Sequence, residues 1–254
     1  MKSQIRITHT LEVWGDFACF TRPEMKVERY SYPCPTPGAA RGVFEAIYFK
    51  PQFRWQITRI ELLNLPAYVA LRRNEVKEKL NEVAVKKWMK GAEVEPLWAD
   101  ADKSLTGTDM KGRTQRQTMA LRAPRFRLFA QIIPRPGQQS EQAAYDEQFT
   151  RRASQGKCFQ QPYLGCREFV AFFRLIDGIT AEAEPVDYSQ DLGFMVYDTF
   201  NLEDDNHAKL SAREDGWQDI ASSIAVFAAR IERGVLEVPP YESDVVRKPG
   251  RRAG

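Results

Sequence analysis

The chain has 254 residues, of which 43% are hydrophobic and 28% charged, with a formal net charge of +3. That length buries a sizeable core in one large or two small domains, and no apolar run approaches the roughly 20 residues that cross a bilayer. The opening MKSQIRITHTLEVWG lacks the apolar centre of a signal peptide, so the expectation is a soluble cytoplasmic protein with no membrane partner.

Ile5, Ile7, His9, Leu11 and Val13 alternate with Arg6, Thr8, Thr10 and Glu12, the pattern of a half-buried strand. His9 falls on its apolar face and reads as a core histidine with a satisfied ring. A turn, PCPTPG, leads into a helix that Thr36 caps and Pro37 starts. Ala40, Val43, Phe44 and Ile47 line one face of that helix, and Pro51 ends it. A second strand is expected over about 54–65. Residues 72–118 are charge-rich, with Lys86, Lys87 and Lys90 in one short helical run, and read as an insertion that reaches away from the core. Phe126, Leu128, Ala130 and Ile132 alternate with polar residues as a further strand. Ser140 begins a helix that Gly156 ends. Residues 168–176 and 192–200 are further strand candidates. Periodicity by itself supports mixed α and β.

Charge is unevenly spread. Residues 1–160 hold 27 Lys and Arg against 17 Asp and Glu; residues 161–254 hold 10 against 17. That asymmetry points to an anionic partner on one part of the molecule. Cys19, Cys34, Cys158 and Cys166 make no CxxC, and with two histidines they suggest reduced thiols and no metal site or cofactor. His207 and the pair Asp204 and Asp205 read as a solvated loop, and no phosphate-cradling glycine loop is present. The stretch Phe20 to Pro51 sets Arg22, Lys26, Arg29, Arg41 and Lys50 beside Tyr30, Tyr32, Phe44, Tyr48 and Phe49. Cations interleaved with rings suit a flexible polyanion: the cations meet phosphates, and the rings stack on unpaired bases.

The run VWGDFACFTRPEMKVERYSY at Val13 to Tyr32 resembles the N-terminal signature of the type I-C CRISPR-associated RAMP protein, the fifth core family of Cas proteins. AARGVFEAIYFKP (Ala39 to Pro51), LRRNEV, TQRQTMALR and FQQPYLGCREF follow in the family's order, and DLGFMVYD also resembles it. The resemblance implies an α+β fold: a ferredoxin-like (RRM-like) RAMP domain over 1–180 with an insertion at about 72–118. A small C-terminal β-rich domain over 181–246 would follow; the last eight residues, RKPGRRAG, read from their composition as a disordered basic tail over 247–254. It implies a Cascade subunit that binds the repeat of precursor crRNA, keeps the 5′ handle, and contacts backbone and large subunits and, through the complex, target DNA. Arg22, Lys26, Arg29, Arg41, Lys50, Arg116 and Arg167 are the expected RNA-binding residues. The ordinary RNP1 aromatics are absent, so sheet stacking is not the expected mode.

The family cuts RNA without metal: a ribose 2′-OH attacks the adjacent phosphate and leaves a 2′,3′-cyclic phosphate. Its first catalytic tyrosine lies in E-[AS]-I-Y-[WF]-K-P, here Glu45 to Pro51, which places Tyr48 in that role. A phenol with a pKa near ~10 is mostly neutral at pH 7 and suits proton donation or orientation. Where relatives carry a Lys-His pair at the start of a later helix, this chain has Ala144 and Tyr145, and Tyr145 is the second catalytic candidate. The rival expectation is a subunit that binds the handle and does not cut.

Overall fold

The computed structural model describes residues 6–77, 81–93, 98, 101–108, 110–176, 183–200, 202 and 224–248. His207, Asp204, Asp205 and residues 249–254 lie outside them. The main sheet is built from β1 (Thr8–Trp14), β4 (Phe53–Leu62), β7 (Arg125–Pro134), β8 (Phe172–Ile176) and β11 (Val235–Glu237). Its order is β11-β4-β7-β1-β8, and every neighbouring pair is antiparallel. The first strand thus sits inside the sheet: Leu11 faces Leu128 on one side and Leu175 on the other.

Two helices pack on the face that carries His9, Leu11 and Val13. α1 (Pro37–Ile47) is capped as its sequence requires: Thr36 Oγ1 accepts from Ala39 N at 3.1 Å, and Pro37 opens the first turn. Such a cap is worth about 1 kcal/mol. Its face Ala40, Val43, Phe44 and Ile47 is buried. α4 (Gln142–Ser154) follows a short 3-10 turn at Gln139–Glu141 and places Tyr145, Phe149 and Ala153 in the core at four-residue spacing. Gly156 adopts φ +64°, the left-handed turn that lets Lys157 N reach back to Arg152 O at 2.9 Å. Trp55, Phe44, Phe149 and His9 meet edge-on or tilted between sheet and helices, with centroids 4.6–5.7 Å apart.

Residues 68–122 hold more strand than their charge suggests. β5 (Tyr68–Val76) and β6 (Arg113–Arg122) pair antiparallel along their length, and β6 also takes β2 (Phe17–Ala18) and β3 (Arg29–Tyr30). Between them, α2 (Glu82–Met89) buries no residue, and α3 (Lys103–Thr106) is a single turn. In the last third, β9 (Gln190–Asp198) and β10 (Ala225–Ile231) make a two-stranded sheet against α1, while β11 extends the main sheet. The basic end is held further than expected: Val226 and Arg247 exchange backbone bonds of 3.0 and 2.8 Å, and Arg247 lies over Phe194. The architecture is mixed α+β with mainly antiparallel sheets. No helix among the described residues is long and apolar enough to cross a membrane.

Candidate functional site

α1 delivers Tyr48 to the end of its last turn, where the backbone becomes extended at φ −151°. Three bonds fix that end. Tyr48 N donates to Phe44 O at 2.9 Å, Trp55 Nε1 donates to Tyr48 O at 2.9 Å, and Arg152 Nε donates to Ile47 O at 2.7 Å. The side chain is 7% exposed and packs on Phe53 at 5.3 Å. Tyr145, 5% exposed, also packs on Phe53 at 5.1 Å, and its hydroxyl donates to Gln138 Oε1 at 3.4 Å. Lys50 is exposed, and its Nζ lies 6.0 Å from the Tyr48 ring and 5.4 Å from the Tyr145 ring. Residues from two parts of the chain thus converge: the two tyrosines expected to act, and one lysine expected to bind RNA.

Burial pushes the Tyr48 phenol above the usual tyrosine range, with Arg152 opposing, so it is neutral at pH 7. Among the described residues its hydroxyl has no hydrogen-bond partner.

His9 is a core group, as its place on the strand suggests. Its Nε2 sits 2.6 Å from Asp146 Oδ1, and Gln142 Nε2 donates to the other carboxylate oxygen at 2.9 Å. The cysteines are all free thiols, with Cys19 and Cys34 buried. Burial raises the Cys34 thiol. Contact with Cys166 outweighs burial at Cys19 and lowers its thiol.

The other basic residues lie in four settings. Arg22 lies over Tyr32 at 4.5 Å, with its Nε buried and unpartnered, and Lys26 beside it is exposed. Arg29 and Arg116 lie on the second sheet. Arg29 reaches Glu168 at 3.5 Å and Glu75 at 3.9 Å, and Arg116 reaches Glu75 at 3.2 Å. Arg167 is exposed on the FQQPYLGCREF loop. That loop needs Gly165: at φ +82°, a Cβ there would stand 2.1 Å from Cys19 O. Arg41 is different from the rest. Its Nε and Nη2 bond the two Asp198 oxygens at 2.8 and 3.1 Å, and Nη1 bonds Glu45 at 2.5 Å. Burial opposes its charge, but the two carboxylates outweigh it and raise its pKa above the ordinary arginine value. Arg41 therefore ties α1 to β9 and does not stand on the surface as a phosphate ligand.

Sequence reasoning passed over Arg73. It faces Arg116 directly across the β5–β6 ladder, a like-charge pair that is unfavourable without anions nearby. Glu168, 2.5 Å from Arg73, and Glu75 supply them, and Arg73 also covers the Phe169 ring. Its signal was the two-residue period Leu71, Arg73, Glu75 inside the LRRNEV block.

The family model described as CRISPR-associated protein (Cas_Cas5) matches residues 9–239. A Thermus thermophilus protein named CRISPR pre-crRNA endoribonuclease Cas5d is 37% identical over 231 residues, covering 90% of each chain. A protein of the same name from Mannheimia succiniciproducens is 34% identical over 244 residues, covering 94% of this chain and 97% of its own. Among solved structures, a functionally uncharacterized Streptococcus mutans protein superposes with a TM-score of 0.57 at 16% identity, covering 95% of this chain and 97% of its own. A CRISPR-associated protein gives 0.56 at 16% identity with the same coverage; both share the fold.

Proposed function

The chain belongs to the Cas5 family of CRISPR-associated proteins, in its type I-C branch, and on that premise we propose that it is the precursor-crRNA endoribonuclease of a Cascade complex. It binds the repeat, cuts it by attack of a 2′-OH on the adjacent phosphate without a metal, and keeps the 5′ handle for assembly with the backbone and large subunits and then target DNA. The observation that carries this reading is the meeting of Tyr48, from the family motif, with Tyr145 and Lys50 at one surface point. The phenols donate or orient protons, and a cation faces the phosphate.

The RNA path we propose runs from Arg22 and Lys26 across Arg29, Arg73 and Arg116, with Arg167 beside them. Here Glu75 and Glu168 hold the arginines that phosphates would take over. The main sheet is read as ferredoxin-like. In support, its four principal strands follow β-α-β-β-α-β and lie in the order fourth, first, third, second. Residues 72–118 are then an arm on that unit, and 181–246 a small β-rich unit that lends β11 to the first sheet's edge.

The test is incubation of the purified protein with end-labelled repeat RNA in EDTA. A single cut leaving a 2′,3′-cyclic phosphate is expected, and a repeat with a 2′-deoxy nucleotide before the cut should bind and stay whole. Binding without cutting would replace this reading with that of a handle-holding structural subunit.

A further inference from the structure

We propose that Lys50 is itself a catalytic residue, whose ammonium meets the scissile phosphate and carries the negative charge that builds there. The inference rests on the cleavage reading above. Three observations carry it. First, Lys50 is exposed and, among the described residues, has no carboxylate partner. Arg29, Arg41, Arg54, Arg116 and Arg127 are all held by Asp or Glu. Second, its position is defined: Nζ lies within 6.0 Å of both phenol rings, a cation held on two π faces. The turn beneath it is pinned by Phe53 N to Lys50 O at 3.4 Å, Arg135 N to Gln52 O at 2.8 Å and Arg135 Nε to Pro51 O at 3.3 Å. Third, the other two groups at this point are phenols. They can move or orient a proton, but neither can neutralise a dianionic phosphorane.

The step balances without an added reagent. The 2′ oxygen bonds phosphorus and gives its proton to water as the P–O5′ bond breaks. The departing 5′ oxygen takes a proton from the Tyr48 phenol, which recovers one from solvent. Lys50 keeps its proton throughout and acts only through charge. A lysine that merely bound the substrate would change affinity; one that meets the phosphorane changes the rate at saturation.

Single-turnover cleavage of labelled repeat RNA in EDTA separates these. Lys50→Met keeps the apolar stem over the rings and should melt like the parent. At saturating protein its cleavage rate should fall ~10²–10³-fold. Its Kd should rise by no more than about threefold, one phosphate contact at most. Lys50→Arg should recover to within about tenfold of the parent, and the pH–rate profiles of parent and Met variant should run parallel because Lys50 transfers no proton in the step. A Met variant that cuts at the parental rate, or whose whole loss is in Kd, overturns the catalytic role and leaves the cleavage reading intact. A parent that binds and never cuts overturns that reading and this inference together.

Discussion

Arg41→Ala should destabilise the fold and spare RNA binding. The guanidinium is 6% exposed and makes a two-point contact with Asp198, which is 2% exposed, as well as an i,i+4 pair with Glu45. Truncation removes the cation these carboxylates share. Taking one partner from a buried ion pair costs about 3–5 kcal/mol. Asp198 Oδ1 still accepts from Thr199 N at 2.8 Å and Phe200 N at 3.0 Å, which favours the lower end. At about 3 kcal/mol, and about 2–4 °C per kcal/mol for a chain of this size, the melting midpoint should fall by roughly 6–12 °C. Calorimetry reads this directly. Filter binding well below the variant's midpoint should give the parental Kd, whereas Arg22→Ala in the same assay should weaken binding to every repeat variant. Pairing Arg41→Met with Asp198→Leu should recover part of the loss, since an apolar pair can replace a buried ionic one. The reasoning fails if Arg41→Ala melts within about 1 °C of the parent, or if it binds RNA as poorly as the Arg22 variant.

Tyr48→Phe keeps the ring on Phe53 and removes one hydroxyl, so cleavage should slow ~10²–10⁴-fold at unchanged Kd; parental cutting would make Tyr48 a packing residue alone. His9→Ala should lower stability by about 2–3 kcal/mol, through lost contacts with Trp55 and Phe149 and a buried Asp146 left with Gln142, yet still cut RNA below its melting point. Glu12 is pushed up by burial, but hydrogen bonds from Arg125 and Arg174 outweigh this and hold it below the usual carboxylate range. A folded-state pKa below the unfolded one stabilises above the unfolded value, and that contribution is lost as pH falls through the folded one. The parent should therefore lose stability more steeply than Glu12→Gln in acid melts below about pH 4.5, and matching acid slopes would refute the assignment.

Where an element buries one face and carries its own cap, its residues announce it. The alternation around Leu11, the Thr36-Pro37 start of α1 and the four-residue spacing of Tyr145, Phe149 and Ala153 all correspond to what forms. β5 and β6 gave no such signal, because Arg72 to Glu75 and Arg113 to Gln117 put charge on both faces of the hairpin. One end of the hairpin packs Val69, Leu71, Ala120 and Leu121 on the core, and the charged end is held by backbone pairing and cross-strand ions, which hydrophobic period does not register. Partners distant in sequence were equally hidden. Arg41 is legible as a cation, but Asp198, 157 residues away, decides that it is structural. His9 is legible as a core group, although Asp146, 137 residues away, is not. Tyr48 could be picked out by its motif and Tyr145 by its place in α4; that one lysine covers both rings needed the fold.

The place of β1 inside the main sheet has a cost during synthesis. It is the first strand to leave the ribosome, yet its neighbours are β7 and β8, the second of which ends at Ile176. Leu11 and Val13 must wait for roughly 160 further residues before both sides are paired, about 8–30 s at ordinary elongation rates. For that interval the nascent chain offers an apolar strand with two open edges, a natural target for holding chaperones and for self-association at high expression.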